Sequence, residues 1–202
     1  MQLLNGILLL SCCCLFLDNQ LIAQEWELTK KSETIQVFTR KIADYDTKEY
    51  KAVTTVKTDV ATLNELLRNH DNLKNWFVRC PVSERLEKVS DDEFYVYFLN
   101  DAPWPVADRD NITHMRFERL ADSTQFVFLK GVPNYLPINS GIVRIPKMEA
   151  HWEFKPLGNG HIQVTQQVKA DLGGKVPTWL INMAIVEAPF QTMENLRKQL
   201  KN

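Results

Sequence analysis

Cysteine is scarce where it could matter. Of four, Cys12, Cys13 and Cys14 crowd the N-terminus, which leaves Cys80 alone in the rest of the chain. One cysteine closes no internal disulfide and builds no metal site by itself, so the core must hold the fold. An excess of one charge is also missing, with 24 Lys+Arg against 25 Asp+Glu. No basic run exceeds a pair such as Lys30-Lys31. That excludes the electrostatic footprint of a nucleic-acid binder and the dense basic face of a membrane-surface helix. There are four histidines, His70, His114, His151 and His161, and no two stand four residues apart as metal ligands on a helix would. They read as solvated surface residues, and no cofactor or metal motif is present. No repeat, low-complexity tract or Pro/Gly/Ser-rich linker divides the 202 residues, a length suited to one domain.

Residues 3–17, LLNGILLLSCCCLFL, carry no charge. The run is short for a membrane span of about 20 residues, and its length suits the centre of a signal peptide. Polar Asp18, Asn19 and Gln20 follow, then small Ala23 before Gln24. The expectation is a leader over 1–23, a mature domain over 24–202, and export to the periplasm or the medium. Loss of Asp18 with the leader takes the acidic count from 25 to 24, equal to the basic count.

From Trp26 onward the pattern is mainly that of strands. Residues 35–42 are β-rich, and 49–57 alternate Tyr50, Ala52, Thr54 and Val56 against Lys51, Val53, Thr55 and Lys57. Short helices are predicted over 60–68 and 72–78, with Asp59 and Asp71 as N-caps. Further strands are predicted over 82–89, 94–99, 112–120, 125–130, 149–155 and 161–170. The last two flank a Leu157-Gly158-Asn159-Gly160 turn. Short strands and tight turns argue for an antiparallel sheet. On its inward faces stand Phe94, Val96 and Phe98; Asn111, Thr113, Met115 and Phe117; Trp152 and Phe154; and Ile162, Val164, Gln166 and Val168. Thr54, Thr113 and Gln166 are the inward polar candidates.

Residues 177–200 read as a long helix, with Pro177 suited to its first turn. Leu180, Met183, Ala184, Glu187, Phe190, Met193, Leu196 and Leu200 recur at steps of three or four, and all but Glu187 are apolar. Pro189 should bend this helix or open its backbone ladder. An apolar helix face over an aromatic-rich sheet makes either a solid core or a cup, and periodicity alone does not separate the two.

The stretch FYVYFLNDAPWPVADRD, residues 94–110, resembles the StAR-related lipid-transfer (START) domain, in which a strand enters a Pro-Trp-Pro loop closed by Arg-Asp. In order behind it come Gly141-Ile142-Val143-Arg144, Trp152, and Asp171-Leu172-Gly173-Gly174-Lys175-Val176-Pro177 leading into Trp179-Leu180-Ile181-Asn182. Each is similar to the corresponding family segment, and Trp26 and Trp76 also match. The resemblance implies an α+β helix-grip fold, a curved antiparallel sheet wrapped around the C-terminal helix. It further implies a tunnel of roughly 300–1,000 Å³ for a hydrophobic small molecule or lipid, with transient membrane contact. Phe94, Val96, Phe98, Thr113, Met115, Phe117, Trp152, Gln166, Met183 and Phe190 would line that tunnel. Trp104, Arg109 and Asp110 would pin the loop at its mouth. Phe98 and Met115 stand where some relatives carry a buried acid–base pair, so the pocket should be mostly uncharged. The reading is a non-enzymatic carrier or sensor. The alternative is a helix-grip enzyme, cyclase- or hydrolase-like, acting on a hydrophobic substrate.

Overall fold

The computed structural model describes residues 25–201; the expected leader lies outside the described residues. Ten strands form one sheet: β1 (Glu27–Lys31), β2 (Ile35–Arg40), β3 (Glu49–Lys57), β4 (Val82–Lys88), β5 (Glu93–Asn100), β6 (Arg109–Arg119), β7 (Gln125–Gly131), β8 (Val143–Arg144), β9 (Lys147–Gly158) and β10 (His161–Asp171). The order is β1-β2-β3-β10-β9-β7-β6-β5-β4, antiparallel throughout, with short β8 pairing β6 in parallel. This curved sheet and its C-terminal helix are the helix-grip fold expected from the sequence.

Directly opposed residues in an antiparallel pair share a face, so the register lines up rows of inward side chains. One row runs Ala52, Gln166, Trp152, Val127, Phe117 across β3, β10, β9, β7 and β6. The next runs Tyr50, Val168, Ala150, Leu129, Met115, Phe94. At the β9–β10 hairpin, Asn159 and Gly160 both hold positive φ (53° and 68°). That is the twist-matched two-residue turn favoured by Asn-Gly.

Helix α1 (Val60–Arg68) starts at Asp59, whose carboxylate accepts from the Thr62 amide at 2.8 Å. Its buried residues, Leu63 and Leu67, stand one turn apart and face the sheet. The second helix expected from the sequence is instead a 3₁₀ segment, His70–Asn75, and Asp71 lies inside it rather than capping it. His70 is a second correction. It is buried, and its ring lies 4.7 Å from that of Phe94, centroid to centroid.

The C-terminal helix has three parts: α2 (Thr178–Asn182), a π-helical turn (Met183–Glu187) and α3 (Ala188–Gln199). Pro189 has no amide to donate, and its ring would clash with a regular preceding turn. The widened turn resolves this, with the Ala188 amide donating to the Met183 carbonyl five residues back. Glu187, the one polar member of the helix stripe, pairs with Lys30 of β1, and the Lys30 ammonium also sits 4.5 Å from the centre of the Phe190 ring. The edge strand and the helix are thereby tied where the ladder is widest. Phe190, Met193 and Leu196 then join the sheet's apolar face in a single core.

Candidate functional site

The inner face divides into a filled half and a hollow half. Beneath α1 and the 3₁₀ segment, Phe94, Val96, Met115 and Phe117 pack into the main apolar cluster with Leu63, Leu67 and Leu73. Thr113 is fully buried, its hydroxyl 3.4 Å from the Val96 carbonyl. Phe190 belongs to the same cluster. These six sequence candidates, Phe94, Val96, Thr113, Met115, Phe117 and Phe190, are not in the wall of the cavity described next. Around Phe94 the space is taken by the 3₁₀ segment, whose His70 ring meets it, whereas Phe190 packs at the other side of the helix against Lys30 of β1.

Under the π turn the packing opens into a cavity of ≈ 230 Å³. Phe98, Trp152, Gln166 and Met183, the other four candidates, line it, as do Ala184, Leu129, Ala150 and Val168. The volume falls below the range expected from the sequence. The wall is apolar with a few polar groups. Tyr50 is one, and burial pushes its hydroxyl up, so it remains protonated. Cys80 is another; burial, and secondarily the Asp101 charge, push its thiol up to about 12, which removes it as a nucleophile at neutral pH. Gln166 is buried, and its Oε1 accepts no hydrogen bond within the protein. Thr54, the remaining inward polar candidate, is satisfied elsewhere, donating to the Thr34 carbonyl at 2.8 Å.

The loop between β5 and β6 closes one end of the cavity through Asn100, Asp101, Ala102 and Arg109. Asp101 receives two bonds from Arg79, Nε to its carbonyl and Nη2 to its carboxylate, both at 2.9 Å. Asp108 accepts from the Ala102 amide at 2.8 Å. Trp104 is 92% exposed and anchors nothing within the chain. Asp110 is wholly buried and takes a two-pronged ion pair from Arg144, at 2.6 and 3.0 Å. The same guanidinium donates to the carbonyls of Pro133, Leu136 and Pro137, so one buried pair fixes β8, β6 and the intervening loop together. Arg144 is the residue that sequence reasoning quoted but gave no role.

Arg109 does not share that pair. Its Nη1 donates to the Ala107 carbonyl at 2.5 Å, its Nε has no partner, and its side chain lines the cavity. The signal for this was available. The inward face of β6 reads Asn111, Thr113, Met115, Phe117, and two steps back from Asn111 is Arg109. Alternation carried through the loop-closing motif to the start of the strand places Arg109 on that face.

No histidine lines the cavity. His151 lies beside Phe126 and Phe128, with centroids 5.8 and 6.2 Å away, and His114 is 3.8 Å from Glu93. Among the described residues no cluster of three or more His, Cys, Asp or Glu could hold a metal ion.

Known proteins resemble this chain in sequence and in fold. A protein of uncharacterized function from Pseudomonas aeruginosa is 35% identical over 176 residues, covering 87% of each chain. The phosphatidylcholine transfer protein of Mus musculus is 24% identical over 188 residues, 90% of this chain and 86% of its own. The crystal structure of a STAR-related lipid transfer protein from Xanthomonas axonopodis superposes with a TM-score of 0.80 at 35% identity, covering 88% of this chain and 99% of that one. With residues 10–202 matching the START domain as a family, the chain belongs to the START domain family.

Proposed function

We propose that this protein binds one hydrophobic ligand in the cavity beneath its C-terminal helix and carries or senses it, without chemical conversion. The observation that carries the reading is the division of the inner face. A sheet able to pack solidly against its helices does so at one end and leaves ≈ 230 Å³ of largely apolar wall at the other. Interiors are otherwise close-packed, and an apolar hollow is the form a hydrophobic ligand site takes. Lipid transfer by the mouse and Xanthomonas relatives supports the same class of ligand.

The wall offers poor chemistry for an enzyme. Its thiol is protonated, its tyrosine is protonated, and its carboxylate, Asp101, is engaged by Arg79. General acid–base catalysis favours a group poised near the working pH, and the thiol and the tyrosine are both held well above it.

Two tryptophans flank the cavity on the outside. Trp104 follows Ala102 of the wall by two residues, and Trp179, 48% exposed, precedes Leu180 of the wall. Amphipathic indoles favour the membrane–water boundary, so these residues suit transient contact with a bilayer during loading. Export ahead of that contact follows from the uncharged run over 3–17 and Ala23.

The test is Ala184→Trp, because Ala184 lines the cavity. An indole there occupies empty space, so the variant should melt near the parent temperature and lose uptake of a fluorescent fatty-acid or sterol probe. Had the site been close-packed, the same change would strain the fold by about 1–3 kcal/mol. A destabilised variant, together with a parent that takes up no probe, sinks the proposal.

A further inference from the structure

We propose that Arg109 anchors the anionic head, carboxylate or phosphate, of a single-chain amphiphile whose tail fills the cavity. This deepens the carrier reading and rests on it.

The argument begins with an unbalanced charge. Arg109 is 7% exposed and lines a mostly apolar hollow whose polar groups, Asn100, Asp101 and Arg79 among them, gather at the loop end. A guanidinium remains charged at any accessible pH. Among the described residues no carboxylate lies within ion-pair distance of it, and the nearby acids are engaged. Asp110 is held by Arg144 and Asp101 by Arg79; Asp108 accepts from the Ala102 amide and acts on Arg109 only through space, without contact. Its Nε is buried and without a partner. A buried charge lacking a counter-ion is the arrangement proteins avoid, because desolvation then goes uncompensated. Arginine's planar fork suits carboxylate and phosphate oxygens in particular. The missing partner is therefore an anion that arrives with the ligand.

Position and volume narrow the class. Arg109 opens β6 opposite Asn100 at the loop end of the cavity, whereas Phe98, Leu129, Ala150, Trp152 and Val168 make its apolar body. A head at Arg109 thus places a tail along those side chains. The ≈ 230 Å³ cavity lies below the roughly 300–1,000 Å³ of ordinary ligand pockets, which favours a ligand with one chain over one with two.

The experiment measures octanoate, octyl phosphate and octanol binding to the whole protein by calorimetry. The parent should bind at least one of the two anions tenfold or more tighter than octanol, as a charge-assisted pair in a dry site requires. Arg109→Met should still bind octanol and lose the preference, and Arg109→Lys should keep part of it. Tighter octyl phosphate identifies the head as phosphate; tighter octanoate identifies it as carboxylate. Octanol binding as tightly as both anions overturns the anchor and leaves the carrier standing. So does inorganic phosphate binding as tightly as octyl phosphate, which would make the site one for a free ion. If nothing binds, a neutral apolar dye included, the carrier reading fails and the anchor with it. Should Arg109→Met not fold, the ratios in the parent decide alone.

Discussion

Replacing Arg144 by Met tests whether one buried ion pair organises the loop end of the fold. The Arg144 and Asp110 side chains are 4% and 0% exposed, with contacts of 2.6 and 3.0 Å. Arg144→Met keeps much of the stem but strands the Asp110 carboxylate where water does not reach it, and three loop carbonyls lose their donor. Breaking such a pair from one side costs about 3–5 kcal/mol. In a domain of this size each kcal/mol moves the melting temperature by about 2–4 °C, so the midpoint should fall by roughly 6–20 °C. Thermal and urea melts measure it. The double variant Arg144→Met/Asp110→Leu removes both charges and should recover much of the loss, because the coupled residues do not add. A single variant within about 1 kcal/mol of the parent, or a double variant worse than the sum of its parts, would refute the reasoning.

Two further outcomes follow from other parts of the chain. Burial, then the Arg85 charge, holds the His70 imidazole down to about 4 against an ordinary 6.5, while Asp71 opposes the shift. Between those values the unfolded chain binds the proton and the folded chain does not. Stability should therefore rise with pH from about 4 to 6.5, by up to about 3 kcal/mol, and be lost as pH falls. His70→Phe should flatten that part of the profile; parallel profiles would show that His70 does not cause it. For the proposed export, Edman sequencing of protein from its own host should start at or near Gln24, and an intact Met1 in a membrane fraction would contradict it.

The architecture was legible because alternation and turn chemistry act locally. The strand over 49–57 and the helix over 60–68 coincide with β3 and α1, and the Asn159-Gly160 turn forms where its residues favour positive φ. Edge strand β1 was not legible, since a strand with one neighbour and mostly exposed side chains has little alternation to show. Neither was the burial of His70, which depends on how a 3₁₀ segment settles over Phe94 rather than on spacing. The sequence marked an inward face but could not mark its hollow part. Phe94 and Phe98 share that face on β5, yet Phe98 borders the cavity and Phe94 does not. The difference lies in which covering element arrives above each, a long-range matter. Arg109 donates to the loop carbonyl of Ala107, whereas the buried ion pair of that motif joins Asp110 to Arg144, 34 residues on, across the parallel β6–β8 contact, a long-range pairing that local pattern does not show.

The account turns on the ≈ 230 Å³ hollow being a ligand site. Native mass spectrometry of the protein purified from its own host tests that most directly. It should show a species heavier than the polypeptide by one hydrophobic molecule, released on denaturation in organic solvent and recovered by extraction. Polypeptide mass alone, unchanged after incubation with excess octanoate, octanol or a fluorescent sterol, would contradict it.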